Sequence, residues 1–181
     1  NNPLASFDYI DDSPESAAFT KPGIIGFGTD LKGKVRFAIE YDRGEDVNIP
    51  DDDRIYAHYK TEGSDKWIRM DIPSVRKDRP AFNFLGMSAD NNKVYFSSNY
   101  DMAEDDTIGA FEFDMNTKKI NLVFRHPDVD VLSAVIGESN QVIGFYHIPG
   151  YPAVHYHELN ENMADIKLHK GLSASFPGQF L

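Results

Sequence analysis

Two histidines near the end of the chain, His155 and His157, have the spacing best suited to metal chemistry. They are two positions apart in a segment that reads as a strand, and alternate residues of a strand point to the same face. His147 and the carboxylate of Glu158 could complete the mixed nitrogen and oxygen ligands that zinc accepts. The spacing fixes no third ligand, and half-buried strands commonly carry histidine. A structural role is therefore the favoured interpretation, and we expect no metal and no cofactor.

The nearest approach to a nucleophilic serine is Ser139, in the segment Gly137-Glu138-Ser139-Asn140-Gln141. The Gly-x-Ser-x-Gly elbow of α/β-hydrolases needs a second glycine and a strand-to-helix turn, whereas this segment lies between two predicted strands. A simple turn is expected. In the segment from His126 to Asp130, Asp128 or Asp130 could act as an acid, but short carboxylates before a strand more commonly cap a turn. We therefore expect no catalytic residue in this chain.

Other chemically suggestive groups have simpler explanations. The acidic runs Asp51–Asp53 and Glu104–Asp106 supply calcium-like oxygen ligands, but neither has the spacing of a calcium loop, so solvated loops are expected. The glycines of Gly23–Gly28 match no phosphate-binding fingerprint, because no helix follows them. Four aromatic residues could line a ligand groove, although packing between sheets is the favoured interpretation: Trp67, Tyr95, Tyr100 and Tyr151.

Composition limits the classes of partner. The 181 residues are 41% hydrophobic and 26% charged, as in a globular domain, and the net charge is −11 with a pI near 4.8. Such acidity disfavours binding to nucleic acid or to an anionic membrane surface. The chain has no cysteine, which removes disulfides and thiolate chemistry. With no signal-peptide pattern at the start, the composition favours neither a secreted or periplasmic nor a cytoplasmic location.

The elements that would position these residues are short strands. Residues 82–125 contain four apolar runs separated by Asp, Asn, Gly, Ser and Thr, which predicts a four-stranded antiparallel meander, the unit of one β-propeller blade. The turns at Ala89–Asn92 and Asp114–Thr117 suit backbone-bonded, left-handed conformations. Residues 23–72 form a comparable unit, and residues 131–157 a partial third. Strands that start at Val35, Lys93 and Gln141 recur at a spacing close to that of propeller blades.

The expected fold is therefore all-β: a partial β-propeller of two complete four-stranded antiparallel blades plus a partial third, within one domain of residues 1–181. Alternation predicts a half-buried strand at Val35–Tyr41, with Arg36, Ala38 and Glu40 on the second face. It also places Ile120, Leu122 and Phe124 on one face of a later strand. Helical spacing of apolar residues predicts one short C-terminal helix at 158–170, with Gly171 at its C-terminal cap.

From Gly86 onward the chain resembles the propeller domain of the prolyl oligopeptidase family of serine peptidases, especially the acylaminoacyl peptidase and dipeptidyl peptidase branches. Half of the chain, Gly86 to Leu172, carries the resemblance. Its segments are Met87–Asn99, the linker and strand Phe124–Val131, the strand Val142–Tyr146, and the hairpin Pro152–Tyr156 before a helix.

The resemblance implies a propeller that gates or selects peptide substrates, with an α/β-hydrolase domain in cis that carries a Ser-Asp-His triad. This chain ends before such a domain, so no triad residue carries over, and we expect the chain to be inactive alone although its parent would be a hydrolase. The missing initiator Met suggests a processed or excised fragment. The alternative is a stand-alone β module that binds a ligand or a protein. Unclosed strand edges also allow a homodimer.

Overall fold

The computed structural model describes residues 23–42, 54–70, 81–99, 107–157 and 163–176. These residues are mostly β: they form three antiparallel sheets of four, four and three strands, with one short helix and no closed barrel. In each sheet the strands lie side by side in chain order, because each strand pairs with the next through a reversal of the chain.

The strand bounds follow the apolar runs closely. The first sheet contains β1 (Ile24–Thr29), β2 (Val35–Asp42), β3 (Arg54–Tyr59) and β4 (Ile68–Met70). The second sheet contains β5 (Phe82–Met87), β6 (Lys93–Ser98), β7 (Gly109–Asp114) and β8 (Ile120–Phe124). The third sheet contains β9 (Ser133–Ile136), β10 (Val142–His147) and β11 (Ala153–Tyr156), and helix α1 spans Ala164–Ser175. The recurrent strands thus begin at Val35, Lys93 and Val142, within one residue of their predicted starts.

One turn is repeated in all three sheets. Two positions before the second strand of each sheet stands a residue with positive φ: Gly33 at 79°, Asn91 at 56° and Asn140 at 63°. Each donates its backbone N–H to the carbonyl three residues earlier, in Asp30, Ser88 and Gly137. Glycine and asparagine tolerate the left-handed region best, which explains their use here. The left-handed turn predicted at Ala89–Asn92 is confirmed at Asn91, whereas the turn that begins at Asp114 uses Lys118, at φ 60°.

The three sheets stack face to face, and the second sheet is covered on both faces. Its inner strand β5 contacts both β1 and β9, the first strands of the neighbouring sheets. Toward the first sheet, Phe82, Phe96 and Phe111 stack in a row, with ring centroids 4.6 and 5.5 Å apart. Phe37 of β2 continues the row, 6.1 Å from Phe82. This aromatic row forms the largest buried cluster, and apolar burial of this kind is the main source of stability.

Tyr95, Ala110, Val131, Val142 and Phe145 form a second buried cluster between the second and third sheets. Val94 and Phe96 lie in the first cluster and Tyr95 in the second, so the side chains of β6 alternate between the two faces of the second sheet.

Helix α1 packs on the far face of the third sheet. Tyr156 contacts His169 of the helix and lies beneath the Lys170 ammonium, while Ile166 is fully buried. The helix therefore lies against Tyr156, on the side of the third sheet that points away from the second.

Two predicted alternations are wrong in detail. Strand β2 is not half-buried: Arg36, Ala38 and Glu40 are buried as fully as Phe37 and Ile39. Burial of the two charged side chains is possible because Arg36 donates to the carbonyl of Lys60 at 2.7 Å, and Glu40 bonds His58 at 3.0 Å.

In β8, a register shift between the pairs Ala110–Phe124 and Phe111–Leu122 interrupts the alternation. Ile120 therefore packs toward the first sheet and Phe124 toward the third, while Leu122 is 52% exposed. A bulge of this kind redirects every side chain that follows it.

The predicted helix is also displaced along the chain. Gly171 lies inside α1 rather than at its cap, since the helix continues to Ser175. No atom lies within 4 Å of the position of an added Cβ at Gly171, so this glycine is on the open side of the helix. A glycine in an exposed helix interior costs only about 1 kcal/mol, which does not end a helix anchored by Ile166. The predicted start, at 158–162, lies outside the described residues.

Candidate functional site

The most concentrated group of ionisable side chains lies between the second and third sheets. We call it the Glu112 cluster, and it consists of Lys93, Tyr95, Glu112 and His157. Lys93 and Tyr95 lie on β6, Glu112 faces Tyr95 on β7, and His157 follows β11. All four are brought together by strand register, because residues 93, 95 and 112 share the face of the second sheet that receives the third.

Glu112 is the centre of the cluster. Its Oε1 accepts a hydrogen bond from Lys93 Nζ at 2.9 Å, and its Oε2 accepts one from the Tyr95 hydroxyl at 3.2 Å. His157 Nε2 lies 3.5 Å from the same Oε2. The side chains of Glu112 and His157 are each 9% exposed, while Lys93 is 27% exposed and gives the cluster its one opening to solvent. A buried carboxylate needs this degree of pairing to offset its desolvation.

The Tyr95 ring joins the polar cluster to the apolar core. It makes an edge contact with the His157 ring, at a centroid distance of 5.6 Å, and lies 6.0 Å from the Phe145 ring. Burial, and then the adjacent Glu112 carboxylate, raise the pKa of Tyr95 far above its ordinary value. The hydroxyl therefore remains protonated and acts as a hydrogen-bond donor at physiological pH.

The side chains of this cluster are suited to joining two sheets rather than to catalysing a reaction. Its one hydroxyl, that of Tyr95, stays protonated because burial and then the Glu112 carboxylate raise the Tyr95 pKa, so the cluster has no activated nucleophile. What the arrangement does is connect the sheets: the pair Glu112–His157 joins β7 of the second sheet to the end of β11 in the third. A buried polar network whose groups are hydrogen-bonded favours one relative placement of the packed elements over others.

The two metal candidates of the sequence do point to one face, as predicted, but each is engaged differently. The His155 ring is stacked on Phe124, with centroids 4.1 Å apart, and His157 belongs to the Glu112 cluster. His147 lies on the same face and contacts Phe124 at 4.9 Å. Burial lowers the pKa of His147. Within the described segments, no three His, Cys, Asp or Glu side chains are grouped to hold a metal ion.

The candidate catalytic residues occupy turns. Ser139 is exposed in the β9–β10 turn, which Gly137 closes by donating its N–H to Gln141 at 2.9 Å. Asp130 makes a long-range contact rather than the predicted turn cap: its Oδ1 accepts the N–H of Ile108, 22 positions earlier, at 2.7 Å, and Val131 N–H donates to the Ile108 carbonyl. The exposed Asp128 donates its N–H to His126 Nδ1.

The four aromatic candidates do not meet at one surface. Trp67 is buried against Ala38 in the first sheet, with Lys60 Nζ 4.6 Å from its ring centroid, and Tyr95 is buried between the other two sheets. Tyr151 is 72% exposed at the β10–β11 hairpin. Tyr100 and both acidic runs, 51–53 and 104–106, lie outside the described residues.

Sequence reasoning missed the buried polar contacts. The pair Glu40–His58 lies on the far face of the first sheet, and burial lowers the pKa of His58 despite the adjacent carboxylate. Asn91 was expected only as a turn former, yet its Oδ1 also accepts the Leu31 N–H at 3.1 Å and so ties the first sheet to the second. The sequence does carry one signal for the buried ion pairs. It is a charged residue that alternates with apolar residues inside a strand.

Comparison with known proteins adds no assignment: no family model matches this chain, and no curated protein matches its sequence. Of the helices in the described segments, none has the length and apolarity needed to cross a membrane.

Proposed function

We propose that this chain is a β-propeller segment of a prolyl oligopeptidase-type serine peptidase, in which it gates or selects peptide substrates without catalysing their hydrolysis. The observation that supports this best is the repeated architecture. Three antiparallel sheets, each in chain order, stack face to face through their first strands and share the same left-handed turn. Propeller blades repeat a unit of this kind around an axis.

The linker adds a second line of support. In the segment His126–Asp130, which carries much of the resemblance to the peptidase family, Asp130 and Val131 bond Ile108 at the start of β7. The linker is thereby fixed against the second sheet, so that β9 begins beside β5. A linker anchored in this way suits successive blades that must keep a fixed angle.

In the proposed parent enzyme, a hydrolase domain elsewhere in the polypeptide supplies the Ser-Asp-His triad: serine attacks the peptide carbonyl and histidine transfers the proton. This chain supplies part of the wall that limits which peptides reach the active site. The buried Glu112 cluster and the Asn91 bond hold neighbouring sheets in register, which is what a rigid size filter requires.

Two measurements test the proposal. The chain alone should not turn over aminoacyl or acyl-peptide chromogenic substrates; turnover that survives purification would refute the non-catalytic role. The polypeptide encoded by the complete gene should react with a serine-directed phosphonate, at a serine in a Gly-x-Ser-x-Gly segment outside residues 1–181. Gating is separated from catalysis by assaying the parent enzyme with peptides that share their first residues but differ in length. Only the longer peptides should be excluded from the active site, so their hydrolysis alone should be lost. A parent that the phosphonate does not label rejects the peptidase assignment.

A stand-alone β module that binds a ligand or a protein is the second candidate. The observation in its favour is that each junction between neighbouring sheets of the described chain has a buried apolar cluster of its own. The phosphonate experiment decides between the two candidates, since a binding module has no labelled serine in its parent.

A further inference from the structure

We propose that the outer edge of the third sheet is a self-association site, at which β11 of one chain pairs antiparallel with β11 of a second copy. In the first and second sheets, β4 and β8 lie outside the third strand. In the described part of the third sheet no strand occupies that position, so β11 is its edge. This self-association does not depend on the peptidase assignment, because it uses only the edge strand and its surroundings.

The edge presents a regular set of backbone groups. His157 N–H bonds the Ile143 carbonyl at 2.9 Å, and the register continues through Phe145–His155 and His147–Ala153. Since antiparallel partners alternate, the N–H and C=O groups of Val154 and Tyr156 point away from β10. No hydrogen bond of the described chain uses these outward backbone groups. An unpaired edge of this kind is a template for another strand.

The exposed apolar side chains of the described residues are concentrated around the third sheet. Of the nine large hydrophobic side chains that are exposed in this part of the chain, seven belong to the third sheet, its connections or helix α1: Leu132, Ile136, Ile148, Tyr151, Leu168, Leu172 and Phe176. Leu168 and Leu172 are four residues apart and lie on one side of the helix, and Phe176 follows at its C-terminal cap. Clustered exposed apolar residues are typical of interaction surfaces.

Charge explains why the occupant can be a second copy. The chain carries a net charge of −11, so most encounters between copies are repulsive. Residues 131–157, however, contain a single Asp, Glu, Lys or Arg residue, Glu138. Residues 158–176 add Glu158, Glu161 and Asp165 against Lys167 and Lys170, so residues 131–176 carry a net charge of −2. The third sheet is thus the end of the molecule at which two acidic chains repel each other least.

Symmetry makes the arrangement self-complementary. Two antiparallel copies of one strand are related by a two-fold axis perpendicular to the sheet, which closes the assembly at a dimer. The same axis places both copies of α1 on one face of the joined sheet. It also brings the β10–β11 hairpin of each chain, with Ile148 and Tyr151, beside the end of β11 in the other. Edge pairing and apolar contact would therefore be formed together.

The test is the oligomeric state of the complete chain, measured by sedimentation equilibrium. We expect a mass twice the 20.4 kDa of one chain. Val154→Pro removes one outward N–H and should weaken the dimer at least tenfold; Leu168→Glu, on helix α1, should do the same without touching the backbone. Leu122→Glu is the matched control, since Leu122 is exposed to a similar extent on the edge strand of the second sheet, and it should leave the dimer intact. Circular dichroism shows whether each variant is folded. If Val154→Pro does not fold, Leu168→Glu alone tests the dimer.

Three outcomes overturn the proposal. The first is a chain that stays monomeric at every concentration at which it is soluble. The same conclusion follows if the parent polypeptide is a monomer in which the Val154 and Tyr156 amides are protected from exchange, because the edge is then already covered. The second is a dimer that Leu122→Glu dissociates as readily as Leu168→Glu does. The third is an open series of oligomers, which a two-fold axis forbids. Each would leave the peptidase proposal standing, because phosphonate labelling of the parent is measured separately.

Discussion

Replacement of Asn91 tests whether the first two sheets are held together by a specific hydrogen bond or only by apolar packing. Asn91 is 7% exposed, has φ 56°, and accepts the Leu31 N–H at 3.1 Å through its side chain. Alanine at this position loses the acceptor and also strains the backbone. Leaving an N–H unsatisfied costs about 1–3 kcal/mol, toward the lower end here because Leu31 is half-buried. The left-handed conformation adds about 1 kcal/mol for a residue with a Cβ and no polar side chain.

Asn140 supplies the matched control. It has φ 63° in the equivalent turn of the third sheet but is exposed, so Asn140→Ala should lose about 1 kcal/mol, from strain alone. Asn91→Ala should lose about 2–3 kcal/mol, from strain and the lost bond together. Asn91→Gly relieves the strain and removes the bond, so it isolates the hydrogen bond at about 1–2 kcal/mol.

Urea unfolding measures these differences with two probes. Trp67, the single tryptophan, is buried in the first sheet and reports that sheet by fluorescence, while circular dichroism reports all three. Coincident transitions permit the free energies to be compared. Equal losses for Asn91→Ala and Asn140→Ala, or wild-type stability for Asn91→Gly, would show that the cross-sheet hydrogen bond contributes nothing.

Three further predictions concern the core and its buried histidines. Gly86→Ala should lower the free energy of unfolding by about 2–4 kcal/mol, because Gly86 has φ 147° and an added Cβ would lie 2.5 Å from the Val142 side chain. Thermal unfolding measures this loss. Unchanged stability would show that the second and third sheets can move apart at no cost. Phe96→Ala should cost about 3–5 kcal/mol, since it removes the middle of the aromatic row; urea unfolding measures it, and a loss under about 1 kcal/mol would contradict tight packing there. Burial lowers the pKa of His58 and His147, so below about pH 6.5 the unfolded chain binds protons that the folded chain does not. The free energy of unfolding should therefore fall as pH decreases from that value to the folded pKa of each residue, by up to about 1.4 kcal/mol per pH unit and histidine, and His147→Gln should flatten this dependence without abolishing it.

The strands were predictable because their physics is local. Apolar runs bounded by Asn, Asp and Gly place the recurrent strands within one residue of their observed starts at Val35, Lys93 and Val142. Alternation is equally local: Ile68 and Met70 pack toward the aromatic row and Trp67 toward Ala38, because a short, uninterrupted strand leaves few other arrangements.

What could not be predicted depends on contacts between distant segments. The bulge that turns Phe124 to the other face arises from pairing with β7, and nothing in the letters INLVF marks it. Burial of Arg36 requires the Lys60 carbonyl, 24 positions away. Likewise, the Glu112 cluster depends on His157 arriving from another sheet, so its members appear in the sequence only as unrelated charged and aromatic residues.

The two sheet junctions in this chain differ in their chemistry. The junction of the first and second sheets is an aromatic row with a neutral amide bond at Asn91, and no charged pair is described across it. At the junction of the second and third sheets, by contrast, the buried Glu112 carboxylate lies 3.5 Å from His157 and accepts hydrogen bonds from Lys93 and Tyr95. A buried carboxylate is stable only while its polar partners stay in place, whereas apolar rings need only shape complementarity. The placement of the third sheet, which carries the proposed dimer edge, therefore depends on directional polar contacts that the first junction does not need.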